Sequence, residues 1–352
     1  MTEQKNLIDH KVLETFATEM LAKGGLNQED AKFCAQSIVD TNLWGIDSHG
    51  ILRLPIYTKR LLSGAMNSNP DIKKINGSQL FEVLNGDNGP GYLVGKEAIN
   101  RAIELAEKHS IGAVGATGSN HFGAAAIYTR MAAEKGMIAI AMSNVVPNMV
   151  VPGGSKPITG NNPIAMSVPT YGKFPFVLDI SLSAVAGGKL LLASKNGEKI
   201  PFDWATDKDG KPTDDPDKGF AGFLLPMGGH KGFGLSLVVD ILCGVITGGA
   251  FQHSLKGMYK YPDDPSLTGH FFIVINPLTI MSEDDMKNRM DSFYQTIKES
   301  PMWDDSKEML MPGEIEYNTA CQRRKEGIPL SSNLLEELNQ IAADLQMENR
   351  LS

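Results

Sequence analysis

Hydrophobic and polar positions follow two different periods along the chain. In residues 11–23, Val12, Phe16 and Met20 recur every fourth position, which lines one face of an α-helix; Gly24 and Gly25 break the pattern, and Asn27 or Gln28 caps a second helix over 27–43. A tight turn leads into a third helix over 51–62. The polar, proline-containing stretch around 68–78 shows neither period and is expected to hold the first domain boundary. From residue 79 short apolar runs alternate with helices: FEVLNG, a helix over 92–109, IGAVGATG, a helix over 122–135, and MIAIAMSN. That alternation builds βαβ units. Further strands are expected at 174–180 and 271–275, and further helices at 184–193, 231–245 and 282–298. The amphipathic helix over 331–347 is expected to dock on the helical N-terminal region.

A length of 352 residues corresponds, at about 150 residues per domain, to two domains with room for a cleft between them. With 42% hydrophobic and 21% charged residues the chain has the make-up of a folded enzyme, which excludes disorder. Lys and Arg number 33 against 41 Asp and Glu, so a net charge of −8 repels polyphosphate and anionic membranes and argues against a nucleic-acid partner. Cys34, Cys243 and Cys321 are odd in number, far apart and form no CxxC pair, which disfavours a disulfide framework or a zinc knuckle and fits a reducing cytoplasm. The N-terminal stretch MTEQKNLIDHK has no apolar signal-peptide core. Gly232 to Phe251 is the one long apolar stretch, and Asp240 in its middle with several glycines makes it a buried helix, not a membrane span.

Standard nucleotide fingerprints are absent. GPGYLVG, Gly89 to Gly95, has one residue too many for GxGxxG and lacks the Walker spacing, so it reads as a turn into a helix. The acidic run Thr206 to Asp217 imitates a calcium loop, yet its glycine stands at the wrong offset and no bidentate Glu follows. His10, His109 and His253 fall in polar or helix-end contexts and His270 opens a strand; none of the four suggests chemistry.

His49 stands in DSHGILRLPIY, where Gly50 has the freedom to take a positive φ and turn the chain, Ser48 is placed to orient the ring, and Arg53 to fork onto a carboxylate. Taken alone, the segment reads equally as a capped helix end with a surface histidine. His121 in GSNHFG changes that balance: it follows an apolar run and precedes a helix, where ligands bind in α/β units, so Asn120 and His121 are expected to face a crevice. Two further strand ends carry Ser143 with Asn144, and Asp179 with Ser181. GGHKGFG, Gly228 to Gly234, offers close backbone approach, a helix N-terminus and Lys231 to a phosphate; the plainer alternative is a flexible loop capped by His230.

Together DSHGILRLPIY, SNHFGAAAIY, GGSKPITGNNPIAMSVP, LDIS and GHKGFGLSLVVDILCGVITGG resemble, in order and over most of the chain, the malate/L-lactate dehydrogenase family that lacks the Rossmann fingerprint. The resemblance implies an α+β (mixed α/β) fold: a non-Rossmann nicotinamide-binding domain with a mixed sheet over about 76–280, and a mainly helical domain from 1–75 with about 280–352. The active site lies in the cleft between them. It further implies a homodimer, NAD or NADP as cofactor with NAD favoured, and a small anionic 2-oxo or 2-hydroxy acid as substrate. Carried over by position, the catalytic group is His121, His49, Ser48, Arg53 and Asn120. The cofactor contacts fall on Ser143, Asn144, Asp179, Ile180, Ser181, Lys231, Gly232 and, in MPGEIEY, Gly313 and Glu314. NHFG at the second histidine is more similar to the malate, lactate and sulfolactate members than to the ureidoglycolate members, which carry GHSG. Two rivals stand beside this expectation: a metal-dependent lyase or hydrolase with His49, His121 and Asp179 as ligands, and a non-catalytic small-molecule binding protein.

Overall fold

A computed structural model of the chain describes residues 5–304 and 306–352, the side chain of Lys5 excepted; the first four residues of the stretch tested for a signal peptide lie outside the described residues. Strand β1 (Lys5–Ile8) leads into helices α1 (His10–Lys23) and α2 (Gln28–Leu43) and, after short 3₁₀ turns at Asp47–His49 and Ile51–Arg53, α3 (Leu54–Leu62). Then come β2 (Lys73–Gly77), β3 (Phe81–Asn85), α4 (Gly91–His109), β4 (Ile111–Ser119), α5 (Ala126–Ala133) and β5 (Ile138–Ser143). The middle of the chain holds β6 (Met149–Val150), β7 (Pro157–Thr159), β8 (Ile164–Val168), β9 (Phe176–Ile180), α6 (Gly187–Asn196), β10 (Ala205–Thr206), α7 (Pro216–Ala221), β11 (Phe223–Leu224) and α8 (His230–Asp240), which continues into a π-helical turn at Ile241–Val245. It closes with β12 (Thr268–Ile275), α9 (Glu283–Lys298), α10 (Glu314–Glu326), β13 (Ile328–Ser331) and α11 (Ser332–Asp344).

Seven strands form one mixed sheet in the order β2-β3-β4-β12-β5-β8-β9, and β10-β11-β6-β7 form a smaller one. The expected βαβ alternation is realised in β3-α4-β4, whose strands pair in parallel. The next unit is split: β12 enters between β4 and β5, antiparallel to both. Buried on both faces of a central position, β12 reads as a near-continuous apolar run, HFFIVI. One apolar cluster joins Phe16, Met20 and Ile38 of the N-terminal helices to Ile99 of α4, Phe272 of the sheet and Leu338 of α11. The C-terminal helix docks as its pattern predicts, burying Leu334, Leu338 and Ala342, and β13 pairs antiparallel with β1 beside it.

Several boundaries differ from the sequence pattern for identifiable reasons. Helix α5 begins at Ala126, not at residue 122, because Gly123 takes a left-handed φ of +77° and the Asp179 carboxylate caps the helix from another strand, accepting from the Ala126 N–H at 2.9 Å. Helix α6 starts three residues late because Ala184 N–H is held by Leu225 O, and it ends at Gly197 with φ +68°. The stretch 68–78 contains β2, whose five residues are all exposed and so show no alternation. Helix α10 was not apparent in the pattern because it buries only Ala320 and carries no apolar stripe. Within Gly232 to Phe251, Asp240 is buried and accepts from Thr159 Oγ1 at 2.6 Å; no helix among the described residues is long and apolar enough to cross a membrane.

Candidate active site

The first histidine is set by the end of α2. Asn42, buried there, donates to Asp47 Oδ1 and accepts from Ile51 N–H, both at 2.6 Å, and so folds the two 3₁₀ turns back on the helix. A Cβ on Gly50 would lie 2.1 Å from Asn42 Oδ1, so this position needs glycine for space; its φ is −88°, not the positive value that the sequence allowed. Ser48 Oγ lies 2.9 Å from His49 Nδ1, orienting the ring as expected. Arg53 donates from Nε to Ser48 O at 2.7 Å and from Nη1 to the Tyr259 hydroxyl, with its guanidinium 5.2 Å from the Tyr259 ring centroid.

The second histidine follows the end of β4. The start of α4 presses on it: a Cβ on Gly91 would approach Asn120 O to 2.3 Å and His121 O to 2.4 Å, which explains the glycine in GPGYLVG without any phosphate. His49 and His121, 72 positions apart in sequence, stack with ring centroids 5.4 Å apart at 26°. Burial, then the charge of Arg53, lowers His49 to about 4; burial, then His49 and Arg53, holds His121 well below the usual imidazole range. Both rings are therefore neutral near pH 7. A neutral pair can stack closely, whereas two imidazolium ions would repel.

Not every expected residue faces this pair. Asn120 is turned inward, a correction to the crevice-facing reading: its amide donates to Gly89 O at 2.9 Å and accepts from Arg60 Nη2 at 2.9 Å. Ser143 and Asn144 are also buried. Ser143 Oγ meets His270 Nδ1 at 3.0 Å, and Asn144 bridges Ala250 O and Gly269 N–H at 2.9 and 2.8 Å. His270, fully buried, holds Ser119 Oγ with its other nitrogen at 2.9 Å and stacks on Phe122 at 4.4 Å. It ties the ends of β4 and β5 to β12, and burial lowers it to about 3.

The remaining candidates gather around β9. Asp179 caps α5, and burial raises its carboxyl to about 6; Ser181 Oγ is 3.2 Å from Ser183 Oγ, and Ile180 packs beneath. The loop before α8 is laid alongside by Met227 N–H to Leu182 O at 2.9 Å, placing left-handed Gly228 and Gly229 next to exposed Lys231 and buried Gly232. Gly229, not His230, is the residue that precedes α8, and it provides no side-chain cap. The segment with Gly313 and Glu314 is pinned to the same strand by Val177 N–H to Pro312 O at 3.1 Å; Glu314 accepts from Lys298 Nζ and from Met311 N–H. Arg130, in the field of Glu316, Glu134, Asp40 and Asp179, lies 4.4 Å over the Trp44 ring with Nε and Nη2 buried and without a hydrogen-bond partner among the described residues. The left-handed glycine pair, the exposed ammonium of Lys231 and the serine hydroxyls are donors of the kind that suit a dinucleotide's phosphates and riboses.

Sequence reasoning passed over Tyr57, Arg60, Arg130 and Tyr259. Tyr57 was within reach, since His49, Arg53 and Tyr57 follow at intervals of four in the quoted motif. Its hydroxyl is 2.6 Å from His121 Nδ1. The other three act across long sequence distances and leave no local pattern.

The profile of the malate/L-lactate dehydrogenase family matches residues 8–339. The chain is 41% identical over 338 residues to a malate dehydrogenase of Pyrococcus abyssi, covering 94% of this chain and 92% of that one. It is 31% identical over 337 residues to a (2R)-3-sulfolactate dehydrogenase (NADP(+)) of Chromohalobacter salexigens, covering 96% and 98%. The solved sulfolactate dehydrogenase of Methanocaldococcus jannaschii superposes with a TM-score of 0.92 at 37% identity, over 97% of this chain and 98% of that one. Fold and likeness define an oxidoreductase of the 2-hydroxy acid dehydrogenase class, which works with a nicotinamide cofactor. The chain belongs to the malate/L-lactate dehydrogenase family. The metal-dependent alternative finds no support: Asp179 serves as a helix cap, and no three His, Cys, Asp or Glu side chains among the described residues converge as a ligand set.

Proposed function

We propose that this protein interconverts a small 2-hydroxy acid of the malate, L-lactate or sulfolactate kind and its 2-oxo acid, in the cleft between the helical and the sheet-bearing parts of the chain. The observation that carries this reading is the His49–His121 stack with Arg53 beside it. Arg53 uses Nε on Ser48 and Nη1 on Tyr259, which leaves Nη2 for a substrate carboxylate. His121 gives the proton to the carbonyl oxygen in reduction and takes it back in oxidation, a contribution typically of about 10²- to 10⁴-fold. His49, held by Ser48, donates a second hydrogen bond to the same oxygen. Bound reduced nicotinamide supplies the hydride to the carbonyl carbon.

Asp179, Ile180, Ser181, Lys231, Gly232, Gly313 and Glu314 are the residues that would hold the cofactor. Ser143, Asn144 and Asn120 support that surface from below. Four carboxylates, Glu316, Glu134, Asp40 and Asp179, act on the single Arg130, and this acidic surrounding favours NAD over a cofactor with an additional phosphate. Leu235, Val238, Ile241 and Val245 leave about half of each side chain exposed along α8 and its π-turn, a face that a homodimer would cover. Three cysteines without a disulfide suit the cytoplasm.

The test is to mix the purified protein with NADH or NADPH and oxaloacetate, pyruvate or sulfopyruvate, and to follow loss of the reduced-nicotinamide absorbance. Turnover with at least one pair, abolished in His121→Ala with cofactor binding retained, is the expected result. Inactivity with every pair, or full turnover in His121→Ala, would overturn the reading.

A further inference from the structure

Two hydrogen-bonding groups converge on one nitrogen of His121. The Tyr57 hydroxyl lies 2.6 Å from Nδ1, and the Gly123 backbone N–H points at the same atom from 3.3 Å. A backbone N–H has no acceptor capacity, so at rest Nδ1 carries the lone pair and the proton of the neutral ring is on Nε2. Tyr57 is itself held. It is 5% exposed, its ring meets Tyr92 edge-on at 5.7 Å, and an apolar cavity lined by Leu26, Cys34, Ile38, Leu61 and Met66 opens beneath the three rings. Burial in that setting drives the phenol far above its ordinary range, so Tyr57 acts as a neutral hydroxyl and not as a phenolate.

Resting on the dehydrogenase reading above, we propose that Tyr57 is the positioning residue of His121: its hydroxyl donates to Nδ1 of the neutral ring, turns to accept from Nδ1–H of the charged ring, and in both states presents Nε2 to the reacting oxygen. In reduction the ring, charged by a proton taken up from solvent at Nδ1, gives up its Nε2 proton. The N–H bond breaks, an O–H bond forms on the substrate, the hydride pair from the reduced nicotinamide makes the new C–H bond, and the ring is left neutral with its remaining proton on Nδ1, facing the phenol oxygen, until protonation of Nε2 and loss of the Nδ1 proton to solvent restore the resting tautomer. A phenol serves both phases because it is donor and acceptor; a phenylalanine serves neither. Gly123 belongs to the same device. Its φ of +77° turns the N–H toward the ring, and a Cβ there would strike Tyr92 at 2.6 Å.

The groups facing His121 are His49 and Arg53 on the 3₁₀ turns, Tyr57 on α3 with Tyr92 of α4 behind it, and His270 on β12. Of these Tyr57 alone accepts a hydrogen bond from the charged ring, while Arg53, a charged His49 and the Gly123 N–H oppose the charge. Removing the hydroxyl therefore destabilises the charged ring and lowers its titration.

Two measurements on Tyr57→Phe test this. The pH profile of 2-oxo acid reduction, which falls as the charged ring is lost, is expected to move its falling limb down by about one pH unit, with kcat reduced about tenfold and KM and NADH binding nearly unchanged. Nitrogen NMR of isotope-labelled histidine, with the His121 signals identified by their loss in His121→Gln, is expected to show bare Nδ1 and protonated Nε2 in the free wild-type protein, and a mixture of tautomers in Tyr57→Phe. An unmoved limb with only a lowered Tm would reduce Tyr57 to a packing residue and overturn the proposal. So would protonated Nδ1 in the resting wild type, a result that needs no variant to fold. If the wild type reduces no 2-oxo acid, the functional reading fails, while the NMR result still decides the tautomer.

Discussion

Arg60, 1% exposed, donates from Nη2 to Oδ1 of Asn120, the residue before His121, at 2.9 Å. The same guanidinium donates to the backbone oxygens of Tyr261 and Pro262 at 3.1 Å and of Asp264 at 2.9 Å. One buried cation, in the field of Asp263 and Asp264, thus ties the segment that presents Tyr259 to the strand end that presents His121. Arg60→Leu, which leaves those acceptors buried and unpaired, is expected to cost about 3–5 kcal/mol of stability, and Arg60→Lys somewhat less, since an ammonium cannot reproduce the fork. Denaturant unfolding measures both; an unchanged midpoint in Arg60→Leu would remove the anchor from the account.

Arg53 is expected to act on substrate affinity more than on turnover. Arg53→Lys keeps the charge but loses the planar fork, so KM for the 2-oxo acid should rise about 10- to 100-fold with NADH affinity unchanged. Tyr259→Phe removes the hydroxyl that steadies Nη1 and should raise KM by less, about 3- to 10-fold. Steady-state kinetics at fixed saturating NADH separates these effects.

Stability should respond to pH in opposite directions at different sites. His49 and His270 titrate at about 4 and about 3 in the fold and near 6.5 unfolded, so between those values the unfolded chain binds more protons. Their contribution is fully present above pH 6.5 and is lost as pH falls through 4 and 3. Asp40, raised to about 6 chiefly by burial, behaves in reverse: its contribution is present below about 3.8 and is lost as pH rises through 6. Asp40→Asn should therefore be more stable than wild type at pH 8 by about 1–2 kcal/mol, with the gain gone at pH 4. Paired melting curves at the two pH values test the sign, and a larger gain at pH 4 would contradict it.

Lys231 stands beside the Gly228–Gly229 turn without being buried. Lys231→Ala should weaken NADH and NADPH alike by about 3- to 10-fold, and affinity should then depend less on salt, because one screened contact to a phosphate is gone. Fluorescence titration over a range of salt concentrations reads both quantities.

The parts of the fold legible in the sequence were those with a period. Helices α1, α2, α4 and α9 and strands β3, β4 and β5 each repeat an apolar spacing that local sequence preserves. β2, exposed at every position, and α10, which buries a single alanine, have no such spacing and are set by their neighbours. The same division runs through the site. His49, Ser48, Arg53 and His121 stood out because polar groups interrupted apolar runs at turns. Ser143 and Asn144 stood out for the same reason and proved to be inward braces, since a strand end looks alike whether its hydroxyl faces a ligand or a buried His270. Arg60 and Tyr259 were invisible, their partners lying across the fold.

Helix α10 begins at the Gly313–Glu314 corner beside β9 and carries, toward its other end, Arg323, which grips the Asp47 carboxylate with both Nη atoms at 2.6 and 3.0 Å, next to Ser48 and His49. A single rigid rod of 13 residues thus has one tip in the candidate nucleotide half and the other behind the acid half. The two halves are not separable modules: grafting either onto another scaffold would have to carry this strut along, and a change that tilts it by one side chain's width would disturb both ends together.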